Sequence, residues 1–317
     1  MTPSKKASQN TMLGKICRPF WASELLDFYI RRKLFKQRNP LFASFKLTYH
    51  CNLSCSACPF HGRASDNNSH ITWDTAIAAL EILKKRGVKI VIFEGGEPFL
   101  WRDGSHGLHD LVMYAKRLFL RVAVTTNGTF PLNVPSDVLW VSIDGLNGTH
   151  DRLRSGSFER MWSNLKSATH PRVMVHFTIN RDNWCELNQL AEKLTHVPMV
   201  KGLSVQLFYP YDQGESPLSL SPEERKSAIE NVIKLKKYHP IINSTRCLQA
   251  MIRNDWRCHD DVLMNVDPDG TITQGCYVKS RGKINCKECG FTPVAEASSA
   301  LDLQPGSILA GWRAYLS

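Results

Sequence analysis

The chain has 317 residues, of which 43% are hydrophobic and 22% charged, and its formal net charge is +11. This is ordinary globular composition, so collagen-like, mucin-like and wholly disordered proteins are excluded. The apolar runs are far shorter than the ~20 residues of a transmembrane helix. The N-terminus also lacks the apolar stretch of a secretory signal. We therefore expect a cytoplasmic protein.

Most of the excess positive charge lies in residues 1–40, which carry nine Lys and Arg against two acidic residues. The apolar pattern predicts a helix over 21–36 with a basic C-terminal end, which suits the helix dipole. Residues 1–44 are thus predicted to form a basic helical leader. The leader either packs on the main domain, or it caps the site or contacts a membrane surface. The charge also favours a small or amphiphilic anionic substrate.

Between residues 45 and 243, strand-like and helix-like segments alternate. The predicted strands have the nearly continuous apolar character of buried parallel strands, and they cover 44–49, 89–93, 121–125, 138–143, 173–179 and 203–208. The predicted helices cover 74–86, 108–117, 157–168, 184–195 and 222–238. Six βα repeats predict an α/β fold with a parallel sheet, either open or curled into a partial barrel.

The pattern changes after residue 243, where cysteines become frequent. A turn at 267–270 separates two short predicted strands, 262–266 and 271–274. Residues 244–317 are therefore predicted to form a small cysteine-rich module, separate from a core at 45–243.

Cys51, Cys55 and Cys58 follow the first predicted strand with the spacing C-x3-C-x2-C. They could form one face of a helix, although the Asn, Ser and Pro residues around them disfavour a helix. With His50 or His61 they could hold structural zinc. They could also hold a four-iron cluster and leave one iron without a protein ligand. Such an open position is where a substrate or cofactor can bind.

Residues 50–58 resemble the signature of the radical S-adenosylmethionine (SAM) enzymes. The resemblance implies a partial (β/α)6 barrel and a [4Fe–4S] cluster on these three cysteines, with SAM chelated by the open iron. It also implies cleavage of SAM to a 5′-deoxyadenosyl radical that abstracts hydrogen, with an electron donor such as flavodoxin or ferredoxin. The residue before the third cysteine, often aromatic in the family, is Ala57 here, and Phe60 is the substitute candidate for the adenine contact.

Four further segments resemble SAM-binding elements of this family, and three of them lie at the ends of predicted strands. Residues 95–98 resemble its GGEP element, which binds the SAM amino group, and 125–128 and 142–145 resemble its TNG and SxDG segments. Residues 150–160 resemble an HDxxR…SFE stretch, in which Arg154, rather than Arg152, could pair with the SAM carboxylate. The predicted cofactor-binding residues are Gly95, Gly96, Glu97, Pro98, Asn127, Ser142, Asp144 and Arg154.

A second group of cysteines has the spacing C-x17-C-x9-C-x2-C and consists of Cys258, Cys276, Cys286 and Cys289. Four thiolates can complete the coordination of zinc or of a [4Fe–4S] cluster. Attached to a radical SAM core, the group resembles the short twitch form of the SPASM auxiliary-cluster domain, which implies a second [4Fe–4S] cluster. Cys247 could replace one of the four. Cys17 and Cys185 are interpreted as plain buried residues.

The resemblance implies an oxidoreductase that oxidises an unactivated C–H bond of an anionic lipid-like or tetrapyrrole-like substrate, with the auxiliary cluster receiving the remaining electron. Two other enzymatic hypotheses are maturation of a ribosomal peptide and adenosyl transfer as in hopanoid synthesis. A hypothesis of another class is a non-catalytic iron–sulfur or zinc protein, which has no use for a SAM-binding site. Nucleic-acid binding is disfavoured, because no recognised motif accompanies the basic leader.

Overall fold

The computed structural model describes residues 21–60, 63–65, 68–210, 216–280 and 285–317. It divides into two compact units, Met1–Gln37 and Arg38–Ser317. In the first unit the described part contains helix α1, Trp21–Lys33. The helix predicted over 21–36 ends early, because Lys36 has a φ of 52°, which no right-handed helix accommodates. Among the described helices, none has the length and apolarity needed to cross a membrane.

The second unit is built on one eight-stranded sheet with the order β10-β9-β1-β2-β5-β6-β7-β8. Six neighbouring strands are parallel: β1 Phe42–Thr48, β2 Ile90–Gly95, β5 Arg121–Thr126, β6 Val138–Ser142, β7 Val173–Ile179 and β8 Val200–Leu207. A separate short pair consists of β3 Arg102–Asp103 and β4 His106–Gly107. The six strands and their crossovers form the predicted partial (β/α)6 barrel.

Helices follow most of these strands and cover the outer face of the sheet. The first five are α2 Trp73–Lys85, α3 Leu108–Leu118, α4 Asn147–Leu153, α5 Phe158–Lys166 and α6 Leu187–Thr195. The remaining four are α7 Pro222–Leu235, α8 Thr245–Arg253, α9 Thr292–Leu301 and α10 Pro305–Tyr315. The sequence did not predict α4, α8, α9 or α10. The helix predicted over 184–195 is a 3-10 turn, Trp184–Glu186, that continues into α6.

Apolar and polar side chains alternate along the strands, so the outer face of the sheet is an apolar core and the inner face is polar. In β7, Val173, Val175 and Phe177 are buried in the core beneath the helices, whereas His176 and Thr178 face the inside of the barrel. A helix-covered sheet needs apolar residues on the outer face, but the inner face can carry polar groups where it lines a cavity. The interior therefore has the chemistry of a binding site.

Helix α10 closes the amino-terminal end of the barrel. Ala310 and Ala314 pack with Val138, Met174 and other inward residues near the strand starts. The guanidinium of Arg121 donates a hydrogen bond of 2.8 Å to the carbonyl oxygen of Tyr315. The barrel interior consequently has a floor at this end and opens at the carboxyl ends of the strands.

The cysteine-rich segment continues the same sheet. The short strands predicted at 262–266 and 271–274 are β9 Leu263–Val266 and β10 Ile272–Gln274. Strand β9 pairs with β1 in parallel, and β10 pairs with β9 in antiparallel orientation. These pairings place the predicted core and the predicted module in one compact unit that begins at Arg38. Their division at residue 243 as functional domains stays a prediction.

Candidate functional site

A cavity of about 420 Å³ lies at the carboxyl ends of the six parallel strands. Parallel α/β folds bind ligands at this end, and the volume is typical of sites for small molecules. The wall includes loop residues after β1, β2, β5 and β6, together with inward residues of β7 and β8. Of the predicted cofactor-binding residues, the structure brings six to this cavity: Gly95, Gly96, Asn127, Ser142, Asp144 and Arg154.

Cys51, Cys55 and Cys58 all line the cavity and are half-buried. Their loop is held locally, since the Cys58 amide donates to the Cys55 carbonyl at 3.3 Å. Burial raises the pKa of Cys51, and it raises the pKa of Cys55 to about 11. Neutral thiols of this kind lose their protons when they coordinate a metal, because the cation supplies the charge that stabilises a thiolate.

Glycine is required after β2 because two segments of backbone meet there. A Cβ on Gly96 would lie 2.1 Å from the carbonyl oxygen of His50, the residue before the first cysteine. The Gly96 amide donates to Thr48 at 2.6 Å, and the Glu97 amide donates to His50 at 2.9 Å. The two glycines line the cavity as predicted, and they also bring the β2 loop against the cysteine loop.

Glu97 and Pro98 do not line the cavity, in contrast to the other residues of their motif. The Glu97 carboxylate is fully buried and accepts hydrogen bonds from the Thr126 hydroxyl at 2.8 Å and from the Asn127 amide at 2.8 Å. Burial raises the pKa of Glu97 to about 7. Glu97 therefore connects the end of β2 to the end of β5, and its predicted contact with a cofactor stays a prediction.

Asn127 connects the end of β5 to the cysteine loop. Its amide nitrogen donates to the Asn52 side-chain oxygen at 2.9 Å and lies 3.7 Å from the sulfur of Cys51. Its own side-chain oxygen accepts from the Thr129 amide at 2.9 Å. The orientation of Asn127 is thus fixed, and its N–H group points toward a predicted cluster ligand.

Asp144 and Arg154 form an ion pair on the cavity wall, with 2.6 Å between Nε and Oδ2. The other Asp144 oxygen accepts from the Thr178 amide at 2.9 Å. Burial alone would lower the pKa of Arg154, but the carboxylate of Asp144 and the thiol of Cys55 raise it above its ordinary value. Arg154 is therefore held by Asp144, and its pairing with the SAM carboxylate stays a prediction.

The second cysteine group lines the same cavity. Cys258 and Cys286 are exposed, and Cys276 and Cys289 are half-buried. In the described part of the chain, no three His, Cys, Asp or Glu side chains are grouped so that they could hold a single metal ion. All seven cysteines of the two groups therefore line one cavity.

Comparison with known proteins gives the family. Residues 45–194 match the radical SAM superfamily. The chain therefore contains a radical SAM domain at these residues. It is 25% identical over 219 residues to the Fe-coproporphyrin III synthase of Methanosarcina barkeri, covering 64% of this chain and 53% of that protein. It is 29% identical over 192 residues to the sporulation killing factor maturation protein SkfB of Bacillus subtilis, covering 57% and 43%.

A likeness in fold to a solved structure extends beyond the matched segment. The crystal structure of Streptococcus suis SuiB bound to precursor peptide SuiA superposes with a TM-score of 0.61 at 15% identity, covering 91% of this chain and 72% of that one. This likeness concerns the fold alone. The chain spans about half the length of the two curated relatives named above.

Radical SAM enzymes bind SAM and a [4Fe–4S] cluster, and the first cysteine group fits this pair of cofactors. The three thiols share one cavity wall with the two glycines whose backbone is uncovered by side chains. Ala57 and Phe60 lie on the same wall, and the Phe60 ring stacks on Tyr49 with 5.7 Å between centroids. Phe60 therefore lines the same cavity as the cysteines, and its contact with adenine stays a prediction.

The remaining cysteines lie elsewhere. Cys247 is fully buried near Glu296, whose charge adds to burial in raising the thiol pKa, and it does not line the cavity. It is therefore not placed to replace a member of the second group. Cys185 is exposed, so the interpretation of it as a buried residue was wrong. Cys17 lies outside the described residues.

The sequence analysis missed the inward residues of the strands themselves. Strand side chains that line the cavity, beyond those predicted, include Glu94, His176, Thr178 and Gln206. Burial lowers the pKa of His176 to about 4, and the charge of Arg154 adds to this effect. The available signal was polar residues at alternate positions in otherwise apolar strands, which marks an inner face that lines a cavity.

Proposed function

We propose that this protein is a radical SAM oxidoreductase that removes hydrogen from an unactivated carbon of its substrate. The observation that carries the proposal is that two cysteine groups, one with three thiols and one with four, line a single cavity. Three thiolates suit a cluster with an open position, and four suit a fully coordinated one. Two redox groups on one cavity favour net oxidation.

The two groups would hold different cofactors. Cys51, Cys55 and Cys58 would hold the SAM-binding cluster, and Cys258, Cys276, Cys286 and Cys289 would hold a second [4Fe–4S] cluster. When bound, these cofactors supply hydrogen-atom abstraction and a site for the electron that remains on the substrate.

The chain itself orients the cofactors and excludes water. Asn127 directs an N–H group toward Cys51, and hydrogen bonds to ligand sulfur tune the potential of a cluster. The Asp144–Arg154 pair fixes polar groups on the wall at the ends of β6 and α4. Tyr277 and Phe291, in edge-to-face contact at 5.2 Å, contribute aromatic surface to the cavity and reduce its access to water.

The named relatives support two substrate classes, tetrapyrroles and peptides. One relative is named as a coproporphyrin synthase and another as the maturation protein of a peptide factor. Within the described cavity lining, the positive charges are paired: Arg154 with Asp144, and Lys279 with Asp260 at 2.6 Å. The net charge of +11 therefore does not concentrate in the cavity, and the anionic substrate stays a prediction drawn from overall charge alone.

Anaerobic reconstitution with iron, sulfide, SAM and a reductant tests the proposal. Carboxylated tetrapyrroles and peptides are screened for accelerated release of 5′-deoxyadenosine, and products are analysed by mass spectrometry. We expect a product that has lost a pair of hydrogen atoms. A product that carries an adenosyl group would contradict oxidation and support adenosyl transfer. Iron-loaded protein that binds SAM but never cleaves it would contradict radical chemistry.

A further inference from the structure

Glu94 occupies a position deep inside the barrel that the functions assigned above do not use. It lies on β2 next to Gly95 and lines the cavity. Its carboxylate accepts a hydrogen bond from the hydroxyl of Ser44. Ser44 pairs in register with Ile92, two residues before Glu94. The Glu94 side chain therefore points down the strand toward the floor of the barrel, away from the rim where the cysteine loop lies.

Aromatic rings form part of the floor below this carboxylate. The charge of Glu94 adds to burial in raising the pKa of Tyr315, which places the two groups within electrostatic reach. Tyr315 packs 6.2 Å from the Trp140 ring, and Trp140 stands edge-on to His176 at 6.5 Å. A carboxylate among aromatic rings attracts a cation both by charge and by the negative faces of the rings.

The neighbouring cation of the chain is engaged elsewhere. Lys46 pairs with Glu94 in the sheet register, but its ammonium lies 3.3 Å from Asn265, 3.9 Å from Asp267 and 5.0 Å from the centre of the Tyr277 ring. Among the described salt bridges, Glu94 takes part in none. His176 is neutral at pH 7, since burial lowers its pKa to about 4. Among the described residues, the Glu94 carboxylate therefore has no ion-pair partner.

We propose that the deep part of the cavity at Glu94, whose carboxylate accepts a hydrogen bond from Ser44 and which shares the cavity lining with His176, is a subsite for a cationic nitrogen of the substrate. The ligand class is an ammonium or guanidinium group on an extended chain that enters from the cavity and passes the cofactors. This assignment rests on the proposed function for the identity of its occupant as a substrate. It differs from the anionic substrate expected from the net charge.

The ammonium group of SAM is the competing source of a cation. The Glu94 carboxylate is hydrogen-bonded to Ser44 on the floor side, whereas the predicted SAM-binding glycines stand at the rim. Substrate and cofactor are therefore distinguishable by measuring both affinities in one variant.

The test is anaerobic isothermal titration calorimetry on the reconstituted, SAM-loaded enzyme, with hexylammonium, hexanol and hexanoate as probes of equal chain length. We expect hexylammonium to bind about tenfold more tightly than hexanol, which corresponds to about 1.4 kcal/mol. Glu94→Gln should remove this preference, and Glu94→Asp, which keeps the charge, should retain part of it. Glu230→Gln, the same change on the exposed face of α7, should leave the preference intact.

Several results would overturn the subsite. These are equal binding of the three probes, tighter binding of hexanoate, a preference that survives Glu94→Gln, or no binding of hexylammonium at millimolar concentration. A loss of SAM affinity in Glu94→Gln as large as the loss of hexylammonium affinity would assign the carboxylate to the cofactor instead. Probe binding needs no turnover, so an enzyme that prefers hexylammonium but fails to cleave SAM would contradict the proposed function and leave the subsite standing.

Discussion

The two cysteine groups line one cavity but are supported in different ways. The first lies directly after β1, where the backbone of Gly96 packs against His50 and Asn127 reaches Cys51. The second has two exposed members, and its support comes from a side chain of α7. Arg225 donates to the carbonyl oxygens of Cys289 at 2.8 Å and of Met251 at 2.6 Å. The sheet thus positions the first group, whereas one half-buried arginine connects Cys289 of the second group to the helices.

The largest expected effect separates the groups by function. Changing Cys51, Cys55 and Cys58 to Ala should reduce SAM cleavage to background, because no open iron position remains. Changing the four cysteines of the second group to Ala serves as the matched control and should preserve SAM cleavage without substrate. Release of 5′-deoxyadenosine under reducing conditions measures both. An equal loss of 5′-deoxyadenosine release in the two proteins would contradict different functions for the two groups.

Gly96→Ala tests the support of the first group. The added Cβ would overlap the His50 carbonyl, so the two loops must separate, at a cost of about 3 kcal/mol. We expect a lower midpoint in urea unfolding and poorer iron loading at the first group. Gly148→Ala is the control, since a Cβ there in α4 meets no atom within 4 Å. Normal stability and iron loading in Gly96→Ala would show that the close approach is not required.

His150 supports the same side of the cavity, and its effect depends on pH. It is fully buried, and its ring accepts a hydrogen bond from the Asp144 amide at 3.2 Å. Burial lowers its pKa from 6.5 to about 4, so the unfolded chain takes up a proton first as the pH falls. Neutral His150 therefore contributes on the order of 3 kcal/mol to the free energy of unfolding above pH 6.5, and this contribution is lost as the pH falls toward 4.

Urea unfolding of wild type and His150→Gln at several pH values measures this contribution. We expect a shallower loss of stability between about pH 6.5 and 4 in the variant. Stability of the variant should still depend on pH in this range, because burial also lowers the pKa of His176. Parallel curves for the two proteins would contradict a neutral buried His150.

Arg225→Ala should affect the second group alone. Removing its charged hydrogen bonds to backbone carbonyls should cost about 2 kcal/mol and loosen the segment that carries Cys289. We expect reduced iron at the second group and unchanged SAM cleavage. Arg181→Ala is the control, since Arg181 pairs with Glu224 on an exposed surface at 3.3 Å. A loss of SAM cleavage in Arg225→Ala would show that the first group depends on the support of the second.

The sequence predicted the parts of the site whose position follows from the sheet. Residues at the ends of β1, β2, β5 and β6 must converge, because the carboxyl ends of parallel strands meet at one edge. It did not predict the role of Glu97, whose contacts join two strands about 30 residues apart in the chain. Nor could it place Arg225 beside Cys289, since local patterns carry no information on such long-range packing.

Contacts between distant segments also explain where the observed fold differs from the predicted one. Strand β8 begins at Val200, earlier than predicted, because Val200 and Gly202 pair with Val173 and Met174 of β7 across an irregularity at Lys201, despite the low strand propensity of glycine. Helix α10 was missed because its role, closing the floor against Trp140, depends on a contact between distant segments. Strand β9 was predicted as a segment, but its parallel pairing with β1 was not.

The measurement that tests the central claim most directly is the iron content of three anaerobically reconstituted proteins: wild type, the triple variant of the first group and the quadruple variant of the second. Two clusters on one cavity predict about eight iron atoms per chain in wild type and about four in each variant. Electron paramagnetic resonance of the reduced proteins should show two distinguishable cluster signals in wild type and one in each variant. Four iron atoms and one zinc ion in wild type, with the zinc absent from the quadruple variant, would contradict the account.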